Sequence, residues 1–152
     1  MTKIIDSFLS FALALRARLE SVPYGALALP LRFAVASVFW HAALVKLDDW
    51  DVTLALFTDE YQVPLLPPAV AANLALAVEL SMPVLLVLGL LTRPAAVVLL
   101  GMTTVIQLFV YPMAWPTHIQ WVAMLLVLLC RGPGTLSLDA LLWRRRLGRT
   151  AS

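Results

Sequence analysis

Ionisable and amide side chains inside long apolar stretches are the residues best suited to chemistry in this chain. If these stretches cross a membrane, each such group costs free energy and is a functional candidate by default. Glu79 is the deepest, because it lies roughly ten residues, or about 15 Å, into its stretch. We expect its carboxyl to exchange protons as a catalytic group together with the imidazole of His41. The residues expected to bind a cofactor beside them are Gln107, His118, Lys46 and Arg32.

The neighbours of Glu79 favour a site at this position. Ala72 and Ala75 share its helical face, which indicates close helix packing rather than contact with lipid. Pro83 stands four residues later and has no N–H to donate to the Glu79 carbonyl, so the helix backbone is weakened there. The sequence therefore predicts a ligand or proton site around Glu79.

Depth along the predicted helices places several polar side chains in the middle-to-outer part of the protein, namely Glu79, His41, Gln107, His118 and Gln120. We expect them to line a polar cavity that opens to the outer face. The alternative is a buried structural carboxyl satisfied by His41, Gln107 or a backbone carbonyl. Arg32 and Lys46 lie near the inner and outer boundaries, where each can also reach the headgroups by snorkelling. Helix phase limits the convergence, since His41 is nearly opposite Arg32 and about 140° from Lys46.

The two histidines also raise the question of metal or haem binding. Bis-histidine haem needs ligands from opposite sides of the iron, whereas both histidines lie near one surface. A site for copper or another metal would use His41 and His118, with Met113 or Glu79 as a further candidate ligand. An interior histidine in a hydrogen-bond network is the remaining reading of each. The single Cys130 excludes an intramolecular disulfide and a Cys-x-x-Cys pair, and no nucleotide-binding or hydrolase motif is present.

The elements that must position these residues are four apolar stretches, at residues 27–47, 68–91, 94–110 and 115–130. Each is near the ~20 residues that a helix needs to cross ~30 Å of hydrocarbon. The chain is 62% hydrophobic and 13% charged, about half the charged fraction of roughly 25% typical of soluble domains. Its mean hydropathy is +0.91. The sequence predicts an all-α integral membrane four-helix bundle that forms a single domain over residues 1–152.

Shorter helices flank these spans. Residues 4–22 carry one apolar face at helical spacing and predict an amphipathic helix in the membrane interface. Residues 52–57 predict a short helix in the first outer loop, and residues 138–147 a short interfacial helix near the C-terminus. Pro30 is expected to belong to the turn that leads into the first span. The short connections between the later spans require antiparallel neighbours.

The basic residues predict the orientation. Of the 11 Lys and Arg residues, only Lys46 falls on the side opposite to the termini. This asymmetry follows the positive-inside rule, so we expect a multi-pass protein of the cell inner membrane with both termini cytoplasmic. The net charge of +2 reflects arginines that face anionic lipid, and nucleic acid is not expected as a partner.

Particular motifs add a family resemblance. The most specific is Gly-Pro-Gly-Thr-Leu-Ser-Leu-Asp at residues 132–139, joined by Leu-Gly-Leu-Leu-Thr-Arg at residues 88–93 and by His41 to Lys46. On these motifs residues 31–142 resemble the DoxX family of small four-helix membrane proteins, although a family-typical glycine before Lys46 is replaced. The resemblance implies a link to membrane oxidoreductase complexes, some of which act near the quinone pool.

A narrower resemblance concerns residues 56–68 and 110–118, which look like the HvfX subgroup found with copper-binding modified-peptide systems. It implies a membrane subunit of a redox or copper-peptide maturation system. In the sharpest hypothesis quinone is the cofactor, its head group lying in an outer-half pocket; haem and copper are the alternatives. The pocket residues would be Glu79, His41, Gln107 and His118.

Two rival functions stay open. The first is a non-catalytic membrane partner that docks a peptide or enzyme through its acidic outer loop and its arginine-rich tail. The second is a transporter of a small solute or metal, for which a homo-oligomer would supply further spans. Beyond the lipid bilayer, the expected partners are a protein of the same system and a second copy of the chain.

Overall fold

The computed structural model describes residues 2–61 and 63–149, with side chains described for residues 7–61 and 63–144. Helices account for nearly all of this part of the chain, which contains no strand. The all-α prediction is therefore confirmed. The helices are α1 (Thr2–Glu20), α2 (Tyr24–Asp48), α3 (Trp50–Leu56), α4 (Pro68–Leu88), α5 (Thr92–Val105), α6 (Trp115–Arg131) and α7 (Leu138–Arg149).

Four segments of the described chain are long and apolar enough to cross a membrane, as the sequence predicts. They are Tyr24–Asp48, Pro68–Leu88, Thr92–Val110 and Pro112–Arg131. The third combines α5 with a π-helical continuation, Ile106–Val110. Hydrocarbon offers no hydrogen-bond partners, and in a helix the backbone N–H and C=O groups bond to one another. The protein is a multi-pass membrane bundle.

The helix of the first span begins about one turn before the predicted stretch, and the expectation that Pro30 belongs to the preceding turn is wrong. α2 begins at Tyr24, directly after Pro23 in extended conformation, so that Pro30 lies inside the helix and not in the preceding turn. A proline removes only one intrahelical hydrogen bond, here the one to the Ala26 carbonyl. The apolar residues on both sides of Pro30 continue the helix across that gap.

The four long helices close around a common core. α2 packs against α4 and α6, and α5 packs between α4 and α6. The centre of the core is formed by Val35, Phe39, Leu86, Leu99 and Leu125, all buried. Ala95 and Ala96 are also buried there, and small residues of this kind allow neighbouring helices to approach closely.

The two ends of the bundle differ in their connections. We call the end at the junctions of α1 with α2 and of α6 with α7 the terminal end, and the end that carries α3 the loop end. At the terminal end, α7 is tied to the turn between α4 and α5. The Asp139 carboxylate accepts hydrogen bonds from the backbone N–H groups of Leu91 (3.0 Å) and Thr92 (3.1 Å), while its own N–H donates to the Gly89 carbonyl. The carboxylate thus satisfies N–H groups at the start of α5 that have no intrahelical partner.

Candidate functional site

A cavity of about 520 Å³ lies between the long helices in the half of the bundle nearer the loop end. This volume falls in the range of roughly 300–1,000 Å³ that small-molecule sites usually have. Aliphatic and aromatic side chains form most of the wall, among them Phe39, Val78, Met102 and Trp121. The polar or charged side chains in the wall are Lys46, Tyr61, Glu79, Tyr111 and His118.

An ion pair stands in this otherwise apolar wall. Lys46 Nζ donates a hydrogen bond to Glu79 Oε1 at 2.8 Å, and the two side chains are 17% and 3% exposed. Glu79 Oε2 is buried and has no hydrogen-bond partner among the described residues. A buried pair of this kind is destabilising once either partner is removed, because an uncompensated charge is left behind.

Local sequence explains how the two side chains meet. Helical side chains lean toward the N-terminus of their helix and so cover the turn before them. The residues one turn before Lys46 and Glu79 are Ala42 and Ala75, and both alanines line the cavity. Each charged side chain therefore lies beside a small neighbour that leaves space for it.

The backbone around Glu79 is less disturbed than the sequence suggests. Pro83 is buried inside α4, and the helix continues through it to Leu88. The Glu79 carbonyl lacks the N–H of residue 83, but no break in the helix follows. The chemistry available at this position therefore comes from the side chain and not from an opened backbone.

A second polar unit joins α6 to the end of the third span. Gln107 Nε2 donates to the Pro112 carbonyl at 2.8 Å, and Gln107 Oε1 lies 2.7 Å from His118 Nδ1. A carbonyl oxygen can only accept, so the amide nitrogen of Gln107 must face Pro112 and its oxygen must face the histidine. His118 Nδ1 then carries the proton, and Nε2 of the neutral ring is a hydrogen-bond acceptor.

Two tyrosines from different loops form a third polar unit, which the sequence interpretation missed. The hydroxyl oxygens of Tyr61 and Tyr111 are 2.8 Å apart, and the Tyr61 ring packs edge-on against Phe57. Burial, together with the hydrogen bond between the two hydroxyl groups, raises the pKa of Tyr61. The hydroxyl therefore stays protonated at physiological pH. The available signal was an aromatic residue in each loop close to a proline.

The structure brings together three of the residues singled out from the sequence. Glu79, Lys46 and His118 line the cavity, and Gln107 acts on it through its hydrogen bond to His118. Sequence reasoning did not foresee that Lys46 would be the partner of Glu79, because it placed the lysine at the membrane boundary.

His41 is not part of this arrangement. It is exposed on α2 and does not line the cavity, so the structure does not bring His41 and Glu79 together in this pocket. Helix geometry gives the reason, because five residues at about 100° each separate the directions of His41 and Lys46 by roughly 140°. Since Lys46 faces the cavity, His41 faces away from it.

Arg32 lies at the terminal end, remote from the cavity, and its contacts hold segments of the protein together. Its guanidinium donates to the carbonyl oxygens of Leu136 (2.7 Å), Pro133 (2.9 Å) and Val87 (3.1 Å), and the residue is only 2% exposed. These bonds anchor the segment between α6 and α7 to the end of α4. This geometry favours a structural role for Arg32 over the expected role as a cofactor ligand at the same site as Glu79.

The copper site considered from the sequence is not assembled. Within residues 2–61 and 63–149, no group of three or more His, Cys, Asp or Glu side chains is placed to hold a metal ion. Met113 is 90% exposed, and His41 points away from the cavity that His118 and Glu79 line.

Comparison with known proteins gives the family of the chain. No curated protein and no solved structure matches it. A family model described as DoxX matches residues 27–112, which are more than half of the chain. The match covers nearly all of the first membrane-spanning segment and the whole of the second and third, and therefore includes both Lys46 and Glu79. The chain belongs to the DoxX family.

Proposed function

We propose that this protein is the membrane subunit of a redox or copper-peptide maturation system and that its cavity binds the head group of a quinone. The observation that carries the proposal is the Lys46–Glu79 ion pair in the wall of an apolar cavity of about 520 Å³. A quinone combines a flat apolar ring with polar oxygen atoms. An apolar wall with a few polar groups at defined positions suits such a ligand.

The polar groups in the wall match the chemistry of a quinol. Oxidation of one quinol to the quinone releases two electrons and two protons. The Glu79 carboxylate and the Nε2 atom of His118 can each accept one proton as general bases. The two electrons leave to a redox centre of a partner enzyme, which is the electron acceptor that the proposal requires. Lys46 can donate a hydrogen bond to a ligand oxygen while it holds Glu79 in place.

The proposed orientation follows from charge. Lys46 is at the loop end of α2, whereas most basic residues are at the terminal end or in the flanking helices. By the positive-inside rule the termini are cytoplasmic, and the cavity lies in the outer half of the inner membrane. α1 and α7 then lie along the inner interface. Large apolar side chains of α1, such as Phe8, Phe11 and Leu19, are exposed and available to lipid.

A second candidate function is a non-catalytic docking partner. Asp48, Asp51 and Glu60 are exposed at the loop end, next to the elements that cover the cavity. A cluster of acidic side chains attracts a basic partner by charge complementarity. This function predicts that charge reversal at these positions abolishes output in cells, whereas substitutions at Glu79 leave it unchanged.

The decisive experiment is quinone binding by the protein purified in mild detergent. Extraction with organic solvent should recover quinone in stoichiometric amount, or a short-chain ubiquinone analogue, decylubiquinone, should bind in either redox form. Glu79→Gln should weaken binding of the reduced form, because it removes a carboxylate that can act as its base, and should reduce pathway output at equal protein level. The matched control is Glu20→Gln, the same substitution at an exposed glutamate that forms an ion pair with Arg16. If the wild type binds neither redox form, the quinone proposal is excluded.

A further inference from the structure

We infer that the cavity selects the reduced, dihydroxy form of its ligand, a hydroquinone, over the oxidised quinone. The inference rests on the proposed function and adds to it which redox form the site is built to hold. It depends on two atoms of cavity-lining residues, Glu79 Oε2 and His118 Nε2. Both atoms are hydrogen-bond acceptors without a partner among the described residues, and a hydroxyl group can donate to an acceptor.

The first acceptor is Glu79 Oε2. Oε1 already receives a hydrogen bond from the Lys46 ammonium group at 2.8 Å, whose positive charge is the counter-charge of the carboxylate. Both oxygens of an ionised carboxylate are acceptors. Oε2 is buried and receives no hydrogen bond from any residue that the structure describes. A buried acceptor in that state is costly, and a ligand that donates to it removes the cost.

The second acceptor is Nε2 of His118. Gln107 occupies Nδ1 through its amide oxygen, and the bond from Gln107 to Pro112 sets the direction of that amide. Among the residues that the structure describes, Nε2 has no hydrogen-bond partner and no carboxylate is paired with the ring. The ring is then neutral, with its lone pair on Nε2. Glu79 and His118 line the same cavity, so one ligand has access to both.

The donors in the wall do not reverse this preference. Lys46 has further N–H groups, the tyrosine pair keeps one O–H, and Trp121 carries an indole N–H, so a ligand oxygen that only accepts also finds donors. A hydroquinone hydroxyl, however, both accepts from Lys46 and donates to Glu79 Oε2. A quinone carbonyl only accepts, so it leaves Oε2 without a partner and brings a second lone pair toward it. The reduced form is therefore the one that completes the site.

The test is a pair of binding titrations on the purified wild-type protein under anaerobic conditions, one with decylubiquinol and one with decylubiquinone. Satisfying one buried carboxylate oxygen should make the Kd for the quinol at least about tenfold lower. The midpoint potential of the bound couple should correspondingly be at least about 30 mV higher than that of the free couple.

Two variants assign the preference to particular atoms. In Glu79→Gln, Lys46 still donates to the side-chain oxygen, and the amide nitrogen takes the place of Oε2. An acceptor becomes a donor, so the preference should disappear or reverse. His118→Phe removes the second acceptor and keeps an aromatic ring. It should reduce the ratio of the Kd for the quinone to the Kd for the quinol. Glu20→Gln, which alters an exposed ion pair with Arg16, should leave the ratio unchanged.

The outcomes separate the two levels of the argument. Equal binding of the two forms, or tighter binding of the quinone, overturns the inference and leaves the proposed quinone site standing. Binding of neither form overturns both. A quinol preference that Glu79→Gln and His118→Phe leave intact overturns the assignment to these acceptors. The wild-type ratio needs no variant, so the test remains decisive if Glu79→Gln fails to fold.

Discussion

Lys46 on α2 and Glu79 on α4, 33 positions apart in the chain, meet through a 2.8 Å hydrogen bond between Nζ and Oε1. The pair links two neighbouring helices and at the same time supplies charge to the cavity wall. Its two roles can be separated, because stability depends on both charges together whereas ligand binding depends on the atoms left without a partner.

Removing only the lysine should destabilise the protein. In Lys46→Met, Glu79 is left as a buried carboxylate without its counter-charge, and we expect the free energy of unfolding to fall by about 3–5 kcal/mol. The double variant Lys46→Met/Glu79→Leu should recover most of this loss, since no charge remains buried. Arg16→Met is the matched control, because its ion pair with Glu20 is exposed at 73% and 63%. Thermal unfolding in detergent measures all three, and equal losses in the single and double variants would contradict the expectation.

Arg32 should prove to be structural. Arg32→Lys keeps the charge but not the planar fork that reaches three carbonyl groups. Each hydrogen bond to a charged group that lysine does not replace should cost about 1.5–3 kcal/mol. Limited proteolysis should then cut within residues 132–137, while quinone affinity stays as in the wild type. Arg18→Lys, on the exposed part of α1, is the control. Loss of ligand binding without loss of stability would make Arg32 a ligand residue after all.

Gly89 should not tolerate a side chain. Its φ is +64°, and a Cβ there would lie 2.5 Å from the Ser137 Cβ and 2.7 Å from an Arg32 nitrogen. Gly89→Ala should therefore cost more than the roughly 1–2 kcal/mol of the left-handed backbone alone. Gly101→Ala is the matched control, because a Cβ at Gly101 meets nothing within 4 Å and alanine favours the helix by about 0.5–1 kcal/mol. Thermal unfolding of the two variants should shift in opposite directions.

The tyrosine pair should make stability sensitive to alkaline pH. The folded-state pKa of Tyr61 is raised above its unfolded value, so the folded state keeps a proton that the unfolded state loses above about pH 10. This contribution is fully present below that pH and is lost as the pH rises. Tyr61→Phe removes the group and should flatten the decline. Melting temperatures between about pH 8 and 11 provide the measurement, and parallel curves for wild type and variant would count against this origin.

Substitution of His118 should weaken ligand binding, whereas substitution of His41 should not. His118→Phe removes an acceptor from the cavity wall, and we expect the Kd for decylubiquinol to rise about tenfold. His41→Ala should leave that Kd unchanged, because His41 is exposed on α2 and lies outside the cavity. Titration of both variants checks the prediction. A loss of affinity in His41→Ala alone would place the binding site on the outer surface of α2.

The sequence predicted those features of the site that depend on one helix alone, and it did not predict contacts between helices. The depth of Glu79 followed from its position within an apolar stretch, and the depth of His118 and Gln107 followed likewise. The partner of Glu79 did not, because Lys46 belongs to another helix. The hydrogen bond between Tyr61 and Tyr111 was not predicted either, because the two residues are 50 positions apart in the chain.

The sequence by itself determined that the protein lies in a lipid bilayer and that its secondary structure is helical. Four long apolar stretches require a membrane, and within hydrocarbon the backbone of such a stretch must satisfy its own hydrogen bonds as a helix. Only the tertiary structure decided which face of each helix points inward. In a membrane the lipid-facing side is as apolar as the core-facing side, so periodicity does not distinguish them. Packing between helices set the rotation that turns Lys46 toward Glu79 and His41 away from it.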